Sequence, residues 1–222
     1  MKKFYSFNDT KIKFKKDTVE KTYILRAINQ KEKELVSKLI EEYFEILKST
    51  RISLPKLIKY KDLNFIYEFC GESLIDSLKE DNISNDFMDN VIEQIGEMLN
   101  KCKLKEVGMD PHIKNFTYKK NKVFYVDTFP PVTEEYIELL TKYNKENKES
   151  IKKHLDTWKP DRLMYHFLAD IKKTKDLNKK FFNKCKSFFI KKKYIKNFDM
   201  KEVDKIIEIE EKNLNKKGFT LS

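Results

Sequence analysis

Residues 3–28 alternate or cluster β-branched and aromatic positions in the manner of strands. The segments "KFYSF", "TKIKFKK" and "EKTYILRAI" carry this pattern, and the pairs Asn8-Asp9 and Lys16-Asp17 between them are turn signals. From Asn29 the period becomes helical. Leu35, Leu39, Tyr43 and Ile46 fall on one face with Val36, Ile40 and Leu47 beside it, which predicts an amphipathic helix over 30–48. After "RISLP", the runs "KLIKYK" and "NFIYEFC" predict a hairpin of strands, and Gly71 breaks the pattern.

Beyond Gly71 helical periodicity dominates. "SLIDSLKE" predicts a short helix, and Ser84 caps a longer one that turns Ile92, Ile95, Met98, Leu99 and Cys102 inward. A second hairpin, "NFTYKK-N-KVFYVD", turns at Asn121. Residues 133–215 read as several lysine-rich amphipathic helices, with the Pro130-Pro131 step the clearest break. The order of elements predicts a two-lobed α+β chain. An N-terminal lobe covers residues 1–70, a mainly helical lobe covers 71–222, and a hinge lies near 68–72.

Composition narrows the field. At 222 residues, 40% apolar and 13% aromatic, the chain can bury one sizeable core or two smaller ones. A net charge of +11 favours anionic partners such as nucleotides, nucleic acid or acidic membranes, without choosing among them. The three cysteines Cys70, Cys102 and Cys185 lie far apart, which argues against a disulfide scaffold and a structural zinc site. The N-terminus lacks the apolar core of a signal peptide, and no apolar run is long enough to span a membrane. A soluble cytoplasmic protein is the expectation.

The candidate chemistry sits in two neighbouring segments, a loop at 107–116 ("VGMDPHIKNF") and 123–131, which contains "FYVDTFPP". From Asp110 to Asn115 the spacing is D-x-x-x-x-N. In a phosphoryl-transfer loop such an aspartate orients or deprotonates the substrate hydroxyl, and the asparagine turns its amide oxygen to magnesium. Asp127 ends a strand that returns beside this loop, where its carboxylate can serve the same hard ion. The bland alternatives are Asx hydrogen bonds in a loop for Asp110 and Asn115, and a turn start for Asp127. His112 is expected to brace its own loop, and His154 and His166 to be core or surface residues. "KCKSFFIKKKYIKNF", 184–198, reads as a solvated helix with one buried aromatic face. Contact with an anionic membrane or RNA is the alternative there.

These segments resemble the protein-kinase-like superfamily, above all its aminoglycoside phosphotransferase, choline kinase and lipopolysaccharide sugar kinase branches. "GMDPHIKN" matches the loop H-G-D-x-H-x-x-N at Asp110, His112 and Asn115. "YVDTF" resembles the D-F-G-type metal segment at Asp127, and "FIYEFCGESLIDSL" resembles the hinge E-x-x-G-x-x-L with Glu68 and Gly71 in place. The resemblance implies a two-lobed kinase-like fold with ATP and Mg²⁺ as cofactors. The backbone of the Glu68-Phe69-Cys70 segment would face adenine, with Cys70 as a small lining residue.

It further implies a cation on the strand "YILRAI" for the α- and β-phosphates. Arg26 is the first candidate, and Lys21 on the opposite face is the alternative. Glu41, or Glu42, on the following helix would hold that cation. Two positions depart from the family pattern: Gly108 replaces the histidine that braces the loop, and no glycine precedes Gly71 to form a phosphate-cradling loop. The expected function is an ATP- and Mg²⁺-dependent phosphotransferase acting on a hydroxyl of a small molecule or sugar, with Asp110 as base. The alternative is a catalytically silent kinase-like module that binds nucleotide or a partner. A nucleic-acid binder would leave the aspartates unexplained.

Overall fold

The computed structural model describes residues 9–25, 28–79, 83–174, 177 and 179–214; the expected strand "KFYSF" and Arg26 lie outside them. Strands β1 (Asp9–Phe14) and β2 (Thr18–Ile24) are joined by a tight turn in which the Lys15 amide donates to the Thr18 carbonyl. β2 also pairs with β4 (Asn64–Glu68), and β4 with β3 (Leu57–Lys61). The result is a four-stranded antiparallel sheet in the order β1-β2-β4-β3. Alternation along β2 turns Lys21 and Tyr23 to the buried side, and Leu25 just beyond the strand follows them.

Helix α1 (Gln30–Ser49) starts where Asn29 and Glu32 satisfy each other's backbone amides, a reciprocal capping box. Val36, Ile40, Tyr43 and Leu47 form its buried stripe. Leu35 and Ile46, expected on the apolar face, lie at its edges and are 42% and 41% exposed, because the stripe is centred one position further round.

Gly71 follows β4 with φ of +98°, and a Cβ there would come within 2.0 Å of the Tyr118 carbonyl oxygen. Only glycine lets the chain pass this close to the second sheet. That sheet runs β5-β6-β7, from β5 (Glu72–Ser73), β6 (Phe116–Lys119) and β7 (Lys122–Tyr125). β5 was not foreseen, since two residues carry no period. The β6–β7 turn places Lys120 and Asn121 at φ of 50° and 63°, the left-handed pair that a two-residue hairpin loop requires.

The remainder is helical: α2 (Leu74–Leu78), α3 (Asn85–Leu104), α4 (Glu134–Tyr143), α5 (Lys148–Asp156), α6 (Leu163–Lys173), α7 (Lys179–Lys191) and α8 (Met200–Leu214). Ser84 caps α3 by accepting from the Phe87 amide, and the five expected α3 positions are buried. The chain is thus α+β, with small antiparallel sheets and a mostly helical remainder. One core lies under the four-stranded sheet. It combines Ile40, Phe44, Phe65 and Tyr67 with Phe129, Tyr136, Ile151 and Trp158, so it draws on both sides of residue 70. The other joins Leu74, Val91 and Phe116 to Phe167, Phe189 and Val203.

In the basic aromatic segment, Phe188, Phe189, Tyr194 and Phe198 pack against this second core. Its rings are therefore largely taken up by packing, Lys191, Lys192, Lys193 and Lys196 are exposed, and Lys184 and Lys186 are half-buried. No helix among the described residues is long and apolar enough to cross a membrane.

Candidate functional site

The β6–β7 hairpin sets the loop before it beside the segment after it. Gln94 on α3 clamps the turn, accepting from the Val123 amide at 2.9 Å and donating to the Asn121 carbonyl at 3.1 Å. Across the base of the hairpin, the Val126 amide donates to the Asn115 carbonyl at 2.9 Å. The front of the loop is pinned differently. The Met109 amide donates to the Trp158 carbonyl at 3.2 Å, and the Tyr43 hydroxyl of α1 donates to the Gly108 carbonyl at 2.8 Å. A Cβ on Gly108 would sit 2.8 Å from Val132 Cγ1 and 2.9 Å from the Trp158 carbonyl oxygen. Where the resembling family has a bracing histidine, this loop has no room for a side chain, and Tyr43 and Trp158 hold it instead.

Between the four-stranded sheet and these loops lies a cavity of about 430 Å³. Ile12, Phe14, Val19 and Val126 supply apolar walls, and Lys21, Lys114, Asn115 and Asp127 gather polar groups in it. Lys21 Nζ donates to the Val126 carbonyl at 2.7 Å and stands 3.8 Å from Asp127 Oδ1. Burial pushes the Lys21 pKa below its ordinary value while Asp127 partly offsets this, and burial likewise raises Asp127 against the pull of Lys21. Asn115 donates its Nδ2 to the Asp110 carbonyl at 3.2 Å, and no donor among the described residues meets its Oδ1. A carboxylate and a free amide oxygen on one cavity wall are the oxygen donors that Mg²⁺ takes.

The segment Glu68-Phe69-Cys70 lines the same cavity. Lys119 Nζ donates to the Phe69 carbonyl at 2.6 Å, Thr117 Oγ1 donates to the Cys70 carbonyl at 2.9 Å, and the Phe69 amide donates to the Asp17 carbonyl at 3.0 Å. Among the described residues no acceptor takes the Cys70 amide, which leaves one donor for a ligand. Burial raises the Cys70 thiol to about 11, so it is an inert lining group.

Neither glutamate expected on α1 reaches Lys21. Glu41 lies against the Tyr60 hydroxyl, whose pKa it raises, and Glu42 pairs with Lys38 at 3.3 Å. The helix turns Ile40, Tyr43 and Phe44 inward, so these carboxylates point away from the cleft. The acidic partner of Lys21 is Asp127.

Asp110 is buried and is not among the cavity-lining residues. Its Oδ1 contacts His112 Nδ1 and accepts from the His112 amide at 3.3 Å. His112 Nε2 lies 3.0 Å from Glu210 Oε1 on α8, and His166 Nε2 on α6 lies 2.7 Å from the same oxygen. Lys173 contacts Glu210 Oε2, and the Ile113 amide donates to Asp170 Oδ2 at 2.7 Å. Burial opposes the Asp110 charge, but the neighbouring His112 outweighs it and holds the carboxyl well below its usual range. Burial also opposes an imidazolium at His112, and the surrounding carboxylates outweigh that, so its pKa stands well above the ordinary value.

Glu210 and His166 were missed as partners of the loop. The tail "KEVDKIIEIEEKNLNKK" reads as a plain amphipathic helix, yet Val203, Ile206 and Glu210 share its buried stripe. An acid on the apolar stripe is the signal that marks Glu210. No protein-family model matches the chain, and no curated protein matches it.

Proposed function

We propose that the chain is an ATP- and Mg²⁺-dependent phosphotransferase that passes the γ-phosphoryl group to a hydroxyl of a small molecule or sugar, in a two-lobed kinase-like arrangement. The observation that carries this reading is the Lys21–Asp127 pair, 3.8 Å apart in a cavity that Asn115 also lines. In this reading Lys21 binds phosphate oxygens, and Ile12, Phe14 and Val19 enclose the base beside the free Cys70 amide. Asn115 Oδ1 and Asp127 would hold magnesium, which supplies charge neutralisation on the phosphates. Asp110 lies behind the cavity-lining Asn115, which donates to its carbonyl, and would orient the acceptor hydroxyl once its carboxylate turns to the cleft. The bond from the γ-phosphorus to the bridging oxygen breaks, the new one forms to the hydroxyl oxygen, and the hydroxyl proton passes to Asp110 and on to solvent. Because ATP is the donor, the reading places the reaction in the cytoplasm.

The burial of Asp110 and its ion pair to His112 favour a second reading, a nucleotide-binding module without turnover. Labelled ATP, Mg²⁺ and a metabolite extract separate the two. A labelled, acceptor-dependent product from the parent supports the phosphotransferase. ATP binding with neither product nor hydrolysis supports the module, and absence of ATP binding at millimolar concentration removes both.

A further inference from the structure

All three histidines of the chain are buried, and two of them converge with three carboxylates behind the 107–116 loop. Their tautomers follow from their neighbours. His166 Nδ1 lies 3.2 Å from the Thr157 carbonyl, which can only accept, so Nδ1 carries the proton. His112 Nδ1 faces the Asp110 carboxylate in the same way. Both rings therefore present Nε2 to Glu210 Oε1, at 3.0 and 2.7 Å, and Asp170 Oδ1 lies 3.8 Å from His112 Nε2. His166 Nε2 is fully buried, and its 2.7 Å approach to Glu210 Oε1 lacks hydrogen-bond alignment, with no other partner for it among the described residues. Two imidazole Nε2 atoms thus converge on one carboxylate oxygen, and the cation that joins them is either a proton on a ring or a bound metal ion.

We propose that His112 Nε2, His166 Nε2 and Glu210 Oε1 form a zinc site, with Asp170 as the nearest further ligand. Independently of Glu210, ligand atoms of Asp110, His112 and His166 all lie within 4.8 Å of one another. The orientation of both rings is that of metal ligands, which fix their other nitrogen on a carboxylate or a backbone carbonyl. Here Asp110 and Thr157 play those parts. The charge also fits. Asp110, Asp170 and Glu210 bring three carboxylates to the cluster, and Lys173 is the one lysine in ion-pair contact with them among the described residues, an acidic surrounding that suits a cation. Two imidazoles with one or two carboxylates suit borderline Zn²⁺ better than the hard ions that prefer oxygen alone. The site joins the loop to α6 and α8, and its function is to fix Asp110 from behind. It stands or falls independently of the phosphotransferase, since none of its proposed ligands lines the cavity.

The test uses the full chain, produced in zinc-supplemented medium and dialysed against metal-free buffer, with elemental analysis and thermal melting. The parent should retain about one zinc per chain and lose melting temperature when a strong chelator strips it. Glu210→Gln and His166→Asn should each hold at least tenfold less zinc, and their melting should not respond to the chelator. Cobalt exchanged into the parent should give the visible absorption of a low-symmetry nitrogen- and oxygen-ligated ion, a readout that needs no variant to fold. A parent that takes up neither zinc nor cobalt at micromolar concentration overturns the site in favour of protonated histidines. Equal zinc in the parent and a folded Glu210→Gln, or a cobalt spectrum of the hexa-aquo ion, overturns it as adventitious binding.

Discussion

Lys21 Nζ on β2 lies 3.8 Å from Asp127 Oδ1, so a strand cation and a loop carboxylate hold each other across the cleft. The same lysine donates to the Val126 carbonyl, which ties it to the chain just before Asp127. Burial weakens both charges, and each partly restores the other. A phosphate and a magnesium ion arriving together would relieve both at once.

This pair gives the first prediction. ATP with Mg²⁺ should stabilise the parent, by about 2.7 kcal/mol when ATP is at about 100 times its dissociation constant. Asp127→Asn should keep the metal-independent part of the thermal shift and lose the magnesium-dependent part. Lys21→Met should lower ATP affinity with or without magnesium. Identical shifts in the parent and Asp127→Asn would remove Asp127 as a magnesium ligand.

Asp110 tests turnover separately from binding. Asp110→Asn keeps the side-chain shape but gives up the charge that faces His112. ATP affinity should stay within a factor of two or so of the parent, because Asp110 does not line the cavity. Phosphoryl transfer, or basal hydrolysis, should fall by about 10²–10⁴-fold, the usual range for general-base help. Unchanged turnover in a titration with labelled ATP would mean that Asp110 is a structural anchor only.

Gly108→His introduces the histidine that the resembling kinase-like loops carry here and should nonetheless be damaging. Its Cβ would meet Val132 and the Trp158 carbonyl below 3.0 Å, and overpacking of this kind costs about 1–3 kcal/mol. Tyr43→Phe, which removes the hydroxyl donating to Gly108, should cost about 1 kcal/mol. Denaturant melts would show both losses. A Gly108→His protein as stable as the parent would mean that the loop shifts freely.

His154 predicts an acid-sensitive stability. Burial pushes its pKa from 6.5 down to about 4, with His166 adding to the effect. The folded chain therefore holds this ring neutral, while the unfolded chain protonates it near its ordinary pKa. Its contribution to stability is complete above pH 6.5 and is lost as pH falls towards 4, by about 3 kcal/mol in all. His154→Leu should flatten that part of the stability–pH curve. The same slope in parent and variant would assign it to other groups.

The fold was legible wherever period and caps agreed. Asn29 and Ser84 started their helices, and Asn121 turned its hairpin, because each residue answers a local backbone need. The cavity-lining Asn115 and Asp127 were legible through their spacing from one another around a short hairpin. What stayed hidden depends on long-range packing. Period two shows that Lys21 and Arg26 face opposite ways but not which face meets the cleft, and Arg26 lies outside the described residues. Glu41 and Glu42 were placed by distance along the chain, whereas the buried stripe of α1 turns them outward. Nothing local joins His112 to Glu210, which is 98 residues away.

That separation also orders events during synthesis. When residues 107–116 emerge from the ribosome, the hairpin that follows them can form within moments, but Glu210, which meets His112 Nε2, has not been made. At about 5–20 residues per second, the 98 residues between them take roughly 5–20 s. For that interval the nascent chain can hold a nearly complete cleft while Asp110 and His112 lack the helix that seals them from behind. The last step in assembling the loop is then the docking of α8, and a nascent chain halted before residue 210 would present a cleft with an unsupported aspartate.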